Sequence, residues 1–126
     1  LSFLSRRKVA KKEKKRKKKN MEKVKVLGLR GCSWCNSLKV ELYDKGIPFE
    51  FIDVDKEGRI ADMLEELLDT ENYPITMVQS SNAIVYIYMP DKATDLGTRT
   101  LPDGNTKIGC FNLVDILEAI ELNLNK

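Results

Sequence analysis

The chain has 126 residues, 42% of them hydrophobic and 33% charged, a size that suits one small domain and is too short for two ordinary ones. Its formal charge of +3 divides unevenly: residues 1–20 hold eleven Lys or Arg and one Glu, while residues 21–126 hold eleven against eighteen acids, so no basic folded face argues for a nucleic-acid binder. No apolar run approaches the ~20 residues of a membrane helix, and the absence of His excludes an imidazole base, a His-ligated metal and a Ser-His-Asp constellation.

The Lys11–Lys19 run repels itself and cannot bury apolar surface, so residues 1–20 are expected to form a disordered basic extension ahead of a working domain spanning 21–126. Such a segment is either upstream of the working domain, which then begins at Met21, or a nuclear address, nucleic-acid arm or transit peptide. From Val24 to Leu29 the apolar alternation predicts a strand that turns at Arg30-Gly31. A helix follows, with Trp34, Leu38 and Leu42 recurring every four residues, until Gly46 and Pro48 stop it. Phe49 to Val54 reads as a second strand. Ile60, Met63, Leu64, Leu67 and Leu68 predict an amphipathic helix over 57–69, ending before Tyr73-Pro74.

Ile75 to Gln79 reads as a third strand, Ser80-Ser81-Asn82 as a turn, and Ala83 to Met89 as a further strand. Pro102-Asp103-Gly104-Asn105 is a strong turn signal before a short strand from Thr106 to Gly109. Leu113, Ile116, Leu117, Ile120 and Leu124 form the apolar face of a last helix.

The chemistry sits in Cys32-Ser33-Trp34-Cys35, at the junction of the first strand and the first helix. Unpaired N–H groups and the positive end of the helix dipole favour a thiolate at Cys32, the expected attacking sulfur. Cys35, one turn later on the same face, is the expected resolving sulfur. Zinc usually takes four N or S ligands, and only Cys110 could join the pair, so no metal site is expected. Three Cys with one far from the others are not a secreted disulfide framework, and a reducing, cytoplasmic setting is the expectation.

With this motif, Tyr73-Pro74 opening a strand, and Ile108-Gly109-Cys110-Phe111-Asn112 before the last helix, the chain resembles the glutaredoxins of the thioredoxin-fold superfamily over residues 22–79 and 106–124. The resemblance implies an α/β, thioredoxin-like fold: a four-stranded mixed sheet flanked by three helices, here with an inserted hairpin or loop over residues 80–105, before the last strand. It also implies that glutathione, as co-substrate, lies along Arg30, Trp34, Tyr73, Pro74, Phe111 and Asn112. Tyr73 would pair with its cysteinyl part, across a cis Tyr73-Pro74 step. Phe111 and Asn112 would meet its γ-glutamyl carboxylate, and Asn112 also fits a plain helix cap.

Cys110 stands where the family has a second Gly, and burial is the expectation for it. The function so implied is glutathione-dependent reduction of protein disulfides and glutathione mixed disulfides by a monomer, with ribonucleotide reductase as a typical family client. The alternatives are a thioredoxin-like redoxin that does not use glutathione and a carrier of a glutathione-ligated [2Fe-2S] cluster.

Overall fold

The structure is a computed structural model and describes residues 23–80 and 82–124. The expected basic extension, 1–20, lies outside the described residues. The elements are β1 (Val24–Gly28), α1 (Ser33–Asp44), β2 (Phe49–Asp53), α2 (Gly58–Leu68), β3 (Ile75–Gln79), β4 (Ile84–Tyr88), a 3₁₀ turn (Ala93–Asp95), β5 (Gly97–Thr100), β6 (Thr106–Gly109) and α3 (Leu113–Leu124).

One mixed sheet has the strand order β2-β1-β3-β4-β6-β5. β1 runs parallel to β2 and antiparallel to β3, and β3 is antiparallel to β4. Alternation along each strand separates two apolar layers. Val24, Val26, Val78, Val85 and Ile87 pack with Leu38 and Leu42 of α1 and Ile116 and Ile120 of α3. Leu27, Ile75, Tyr86 and Tyr88 pack with Leu64 and Leu68 of α2. Each such fully buried Leu contributes about 1.5–3 kcal/mol.

α2 stops where Asp69 takes the left-handed conformation, φ 53°, and the Thr70 N–H reaches back to the Glu65 carbonyl at 3.1 Å. This is a helix-ending pattern that satisfies a last-turn carbonyl. It releases the chain directly into the 70–74 segment that faces the Cys pair.

The thioredoxin-like arrangement of helices and mixed sheet is present, but the sheet carries six strands where four were expected. The extra chain also begins later than expected. Ser80 donates to the Ala83 carbonyl at 2.9 Å, closing a tight β3–β4 turn, so β4 belongs to a hairpin with β3 and the addition starts after it rather than at residue 80. β4 then pairs with β6 in parallel, a geometry that requires a long return connection. Residues 89–105 supply it, and part of it becomes β5, antiparallel to β6 at the sheet edge. The Pro102–Asn105 turn is built as its sequence suggests: Leu101 donates to the Asn105 carbonyl at 2.7 Å and Gly104 to the Leu101 carbonyl at 3.0 Å. The 3₁₀ turn packs so closely on β6 that a Cβ on Gly109 would run into the backbone carbonyl of Asp95. Glycine is therefore required there by space rather than by φ.

Candidate redox site

Cys32 is the N-cap of α1, with extended backbone angles. Its sulfur accepts a hydrogen bond from the Cys35 N–H at 3.2 Å, using one of the donors that a helix start leaves unpaired. The turn that delivers it is closed by the Cys32 N–H on the Leu29 carbonyl at 3.2 Å. Cys32 is partly exposed and Cys35 is buried, and both are free thiols.

Cys35 fits under β1 because Gly28 has no side chain: a Cβ there would lie 2.7 Å from the Cys35 sulfur and 2.9 Å from the Phe51 ring. Burial first, then the hydrogen bond with Cys32, pushes the Cys35 thiol up to about 12. It is held protonated in the resting arrangement.

Across the cleft, the Cys32 sulfur lies 3.8 Å from the Tyr73 carbonyl oxygen, and the Tyr73-Pro74 bond is cis. The Tyr73 ring is buried, and its hydroxyl donates to Glu65 Oε2 at 2.5 Å. Thr70 Oγ1 and Asn72 Nδ2 both donate to the Met89 carbonyl, at 2.8 and 3.0 Å. Asn72 Nδ2 also reaches Asp91 Oδ1 at 2.8 Å.

Cys32, Cys35, Tyr73 and Pro74 thus come together as their positions suggested. Trp34 is exposed on the first turn of α1. Arg30 is exposed and its Nε donates to Asp53 Oδ2 at 3.2 Å, a surface pair worth about 0–1 kcal/mol. Phe111 is exposed, and Asn112 caps α3, its Oδ1 accepting from the Asp115 N–H at 2.9 Å. These two arrive on β6, with β4 between it and β3, so two strand spacings, about 10 Å, separate their strand from that of Pro74. Cys110 is buried in the α1–α3 layer, and burial, then Asp115, pushes its thiol up to about 11. Among the described residues, no group of three or more Cys, Asp or Glu side chains is arranged to hold a metal ion.

Three contributors were missed in the sequence. Gly28 had a signal, since a glycine inside a strand marks a close approach. Glu65 and the Thr70–Asn72 pair had none, because their partners lie across a helix end or just past β4.

Residues 23–80 match the Glutaredoxin family model. That stretch is a glutaredoxin-family domain. The glutaredoxin match runs from β1 through β3 and so contains the Cys pair and the Tyr73-Pro74 step, while Gly109 to Asn112 fall beyond it. N-acetyl-S-hydroxy-L-cysteine reductase of Bacillus subtilis (strain 168) is 32% identical over 53 residues, which cover 42% of this chain and 57% of the relative. The chain therefore spans little more than half of that curated relative. No solved structure matches.

Proposed function

We propose that the protein is a thiol-disulfide oxidoreductase in which Cys32 is the nucleophile and Cys35 the resolving thiol. The observation that carries this is the asymmetry of the pair: one sulfur is partly exposed at a helix start and accepts a backbone N–H, the other is buried and held protonated. In the first step the Cys32 thiolate attacks one sulfur of a substrate disulfide. A Cys32–substrate disulfide forms, the original S–S bond breaks, and the leaving thiolate takes a proton from solvent. Cys35 then loses its proton and attacks Cys32, forming the Cys32–Cys35 disulfide and releasing the second substrate thiol. Two electrons have passed to the substrate. Two external thiols restore the dithiol and leave as a disulfide.

We further propose glutathione as that external thiol, on the strength of the family match. Its cysteinyl backbone would lie against Tyr73 and Pro74, flanked by Trp34 and Arg30, with Phe111 and Asn112 at its γ-glutamyl end. Disulfide-bearing proteins, ribonucleotide reductase among them, are the proposed clients of a cytoplasmic monomer.

The relative's name supports a second substrate class, an S-hydroxy cysteine derivative, that is, a sulfenic acid. There the Cys32 thiolate attacks the substrate sulfur and the S–O bond breaks. Hydroxide leaves as water after protonation, and the same mixed disulfide results.

The test is glutathione-dependent reduction of a small mixed disulfide, with a parallel arm driven by thioredoxin reductase. Activity lost in Cys32→Ser and partly kept in Cys35→Ser is the expected result. Turnover only in the thioredoxin reductase arm would discard glutathione, and visible absorbance of anaerobically purified protein would instead favour a [2Fe-2S] carrier.

A further inference from the structure

Tyr73 makes two attachments that sulfur exchange does not itself require. Its carbonyl oxygen faces the Cys32 sulfur at 3.8 Å, and its hydroxyl, on a residue only 9% exposed, donates to Glu65 Oε2 at 2.5 Å. Glu65 lies on α2, and its neighbour Leu64 and the later Leu68 are buried in the same cluster as Tyr73 and Cys35. The carboxylate is therefore mounted on a fixed helix. A hydroxyl–carboxylate bond belongs to the stronger class of hydrogen bonds. Burial, then the Glu65 bond, pushes the Tyr73 hydroxyl up from its ordinary value, so it remains the donor at neutral pH. On its other side the loop is fastened by Thr70 and Asn72 to the Met89 carbonyl.

We propose that Glu65 is a positioning residue for the reaction at Cys32: through the Tyr73 hydroxyl it holds the backbone of residues 72–74 in place for the substrate, and so sets substrate affinity. The inference rests on the oxidoreductase reading above. A substrate that lies along the Tyr73 backbone as an added strand needs that backbone ordered before it binds. If the anchor is removed, ordering becomes a cost of binding. That cost falls on the bound ground state and the transition state alike, so KM rises and kcat does not change. The attacking sulfur and its Cys35 N–H donor are untouched.

The experiment is steady-state reduction of the mixed disulfide of glutathione with β-mercaptoethanol by the full chain. The variants are Glu65→Ala, Glu65→Gln, Tyr73→Phe and the Glu65→Ala/Tyr73→Phe pair. Glu65→Ala and Tyr73→Phe are each expected to raise KM by about three- to tenfold, the effect of one hydrogen bond. The double variant is expected to be no worse than the poorer single one, because both remove the same bond. Glu65→Gln keeps an accepting oxygen and is expected to restore KM to within about twofold of wild type. Alkylation of Cys32 by iodoacetamide, which needs no substrate loop, should keep its wild-type rate throughout.

An unchanged KM in Tyr73→Phe, which keeps the ring and its packing, overturns the proposal even if Glu65→Ala does not fold. So does a KM rise that Gln fails to rescue, or a joint loss of kcat and alkylation. A wild type inactive in both the glutathione and the thioredoxin reductase arms, with normal Cys32 alkylation, instead refutes the oxidoreductase reading, and is distinguished from these outcomes by the wild-type rate alone.

Discussion

The Cys35 amide donates to the Cys32 sulfur across 3.2 Å, so the four-residue motif supplies its own electrostatic support for a negative sulfur while its second thiol stays out of solvent. The two sulfurs, though three residues apart, occupy opposite environments.

That contrast sets an order of reactivity. Cys35 is fully buried with its thiol pushed up to about 12, and Cys110 is buried with its thiol at about 11. Both are almost wholly protonated near neutrality, and the thiol form is a poor nucleophile. In the reduced protein near neutral pH, limiting iodoacetamide is expected to label Cys32 at least about tenfold faster than either of the others. Peptide mass spectrometry reads the order directly. Labelling of Cys110 first would contradict the burial assignment.

The tight seat of Cys35 gives a second prediction. A methyl group on Gly28 meets both the Cys35 sulfur and the Phe51 ring at under 3 Å, and such overpacking costs about 1–3 kcal/mol. At Gly31, in the turn before Cys32, a methyl group would meet no atom within 4 Å, and the Ala variant is expected within about 0.5 kcal/mol of wild type. Urea unfolding of Gly28→Ala and Gly31→Ala tests the pair. Equal midpoints would mean that β1 and α1 are not in close contact at Cys35.

What was legible in the sequence was local. The alternation of Val24 and Val26 against Leu27, the four-residue recurrence of Leu38 and Leu42, and the glycine-bearing Pro102–Asn105 turn each write their structure within a few residues. The place of Cys32 at a strand–helix junction is legible in the same way. The six-stranded sheet was not legible, because the partner of β4 is chosen by pairing Tyr88 with Gly109 across twenty-one residues, and no period in the intervening chain encodes that. The Ser80–Ala83 turn is legible, and β4 beside β3 follows from it as a local hairpin with Gln79 opposite Ile84; the addition of β6 on the far side of β4 does not. Glu65 and Tyr73 stand eight residues apart on either side of a helix end, so neither helical nor strand periodicity links them.

Asn112 separates capping from binding. Its side chain accepts from the Asp115 N–H at 2.9 Å, and losing such a cap in Asn112→Ala is expected to cost about 1 kcal/mol by urea unfolding. Asn112→Asp keeps an accepting oxygen and should retain that stability. It also places a negative charge where the γ-glutamyl carboxylate is proposed to lie, so KM for glutathione is expected to rise about three- to tenfold. An unchanged KM in the Asp variant would leave Asn112 as a cap alone and remove it from the proposed glutathione site.

The remaining thiol makes stability depend on alkaline pH. Cys110 has its pKa raised from 9.0 to about 11, first by burial and then by Asp115, so the folded state binds its proton more tightly than the unfolded chain does. The stabilisation linked to that proton is complete below pH 9 and is lost as pH climbs through about 11. In Cys110→Ala the group is gone, and the smaller side chain leaves a void costing about 1 kcal/mol at neutral pH. Wild type is therefore expected to exceed the variant by a margin that holds steady up to about pH 9 and narrows from there to about pH 11, because only wild type has this contribution to lose. The tyrosines and lysines titrating over the same range are common to both proteins and cancel in the difference. Urea midpoints of the two proteins compared at pH steps across that window measure the margin. A margin constant throughout would mean that Cys110 titrates in the folded protein as it does in the unfolded chain, and that the side chain is hydrated.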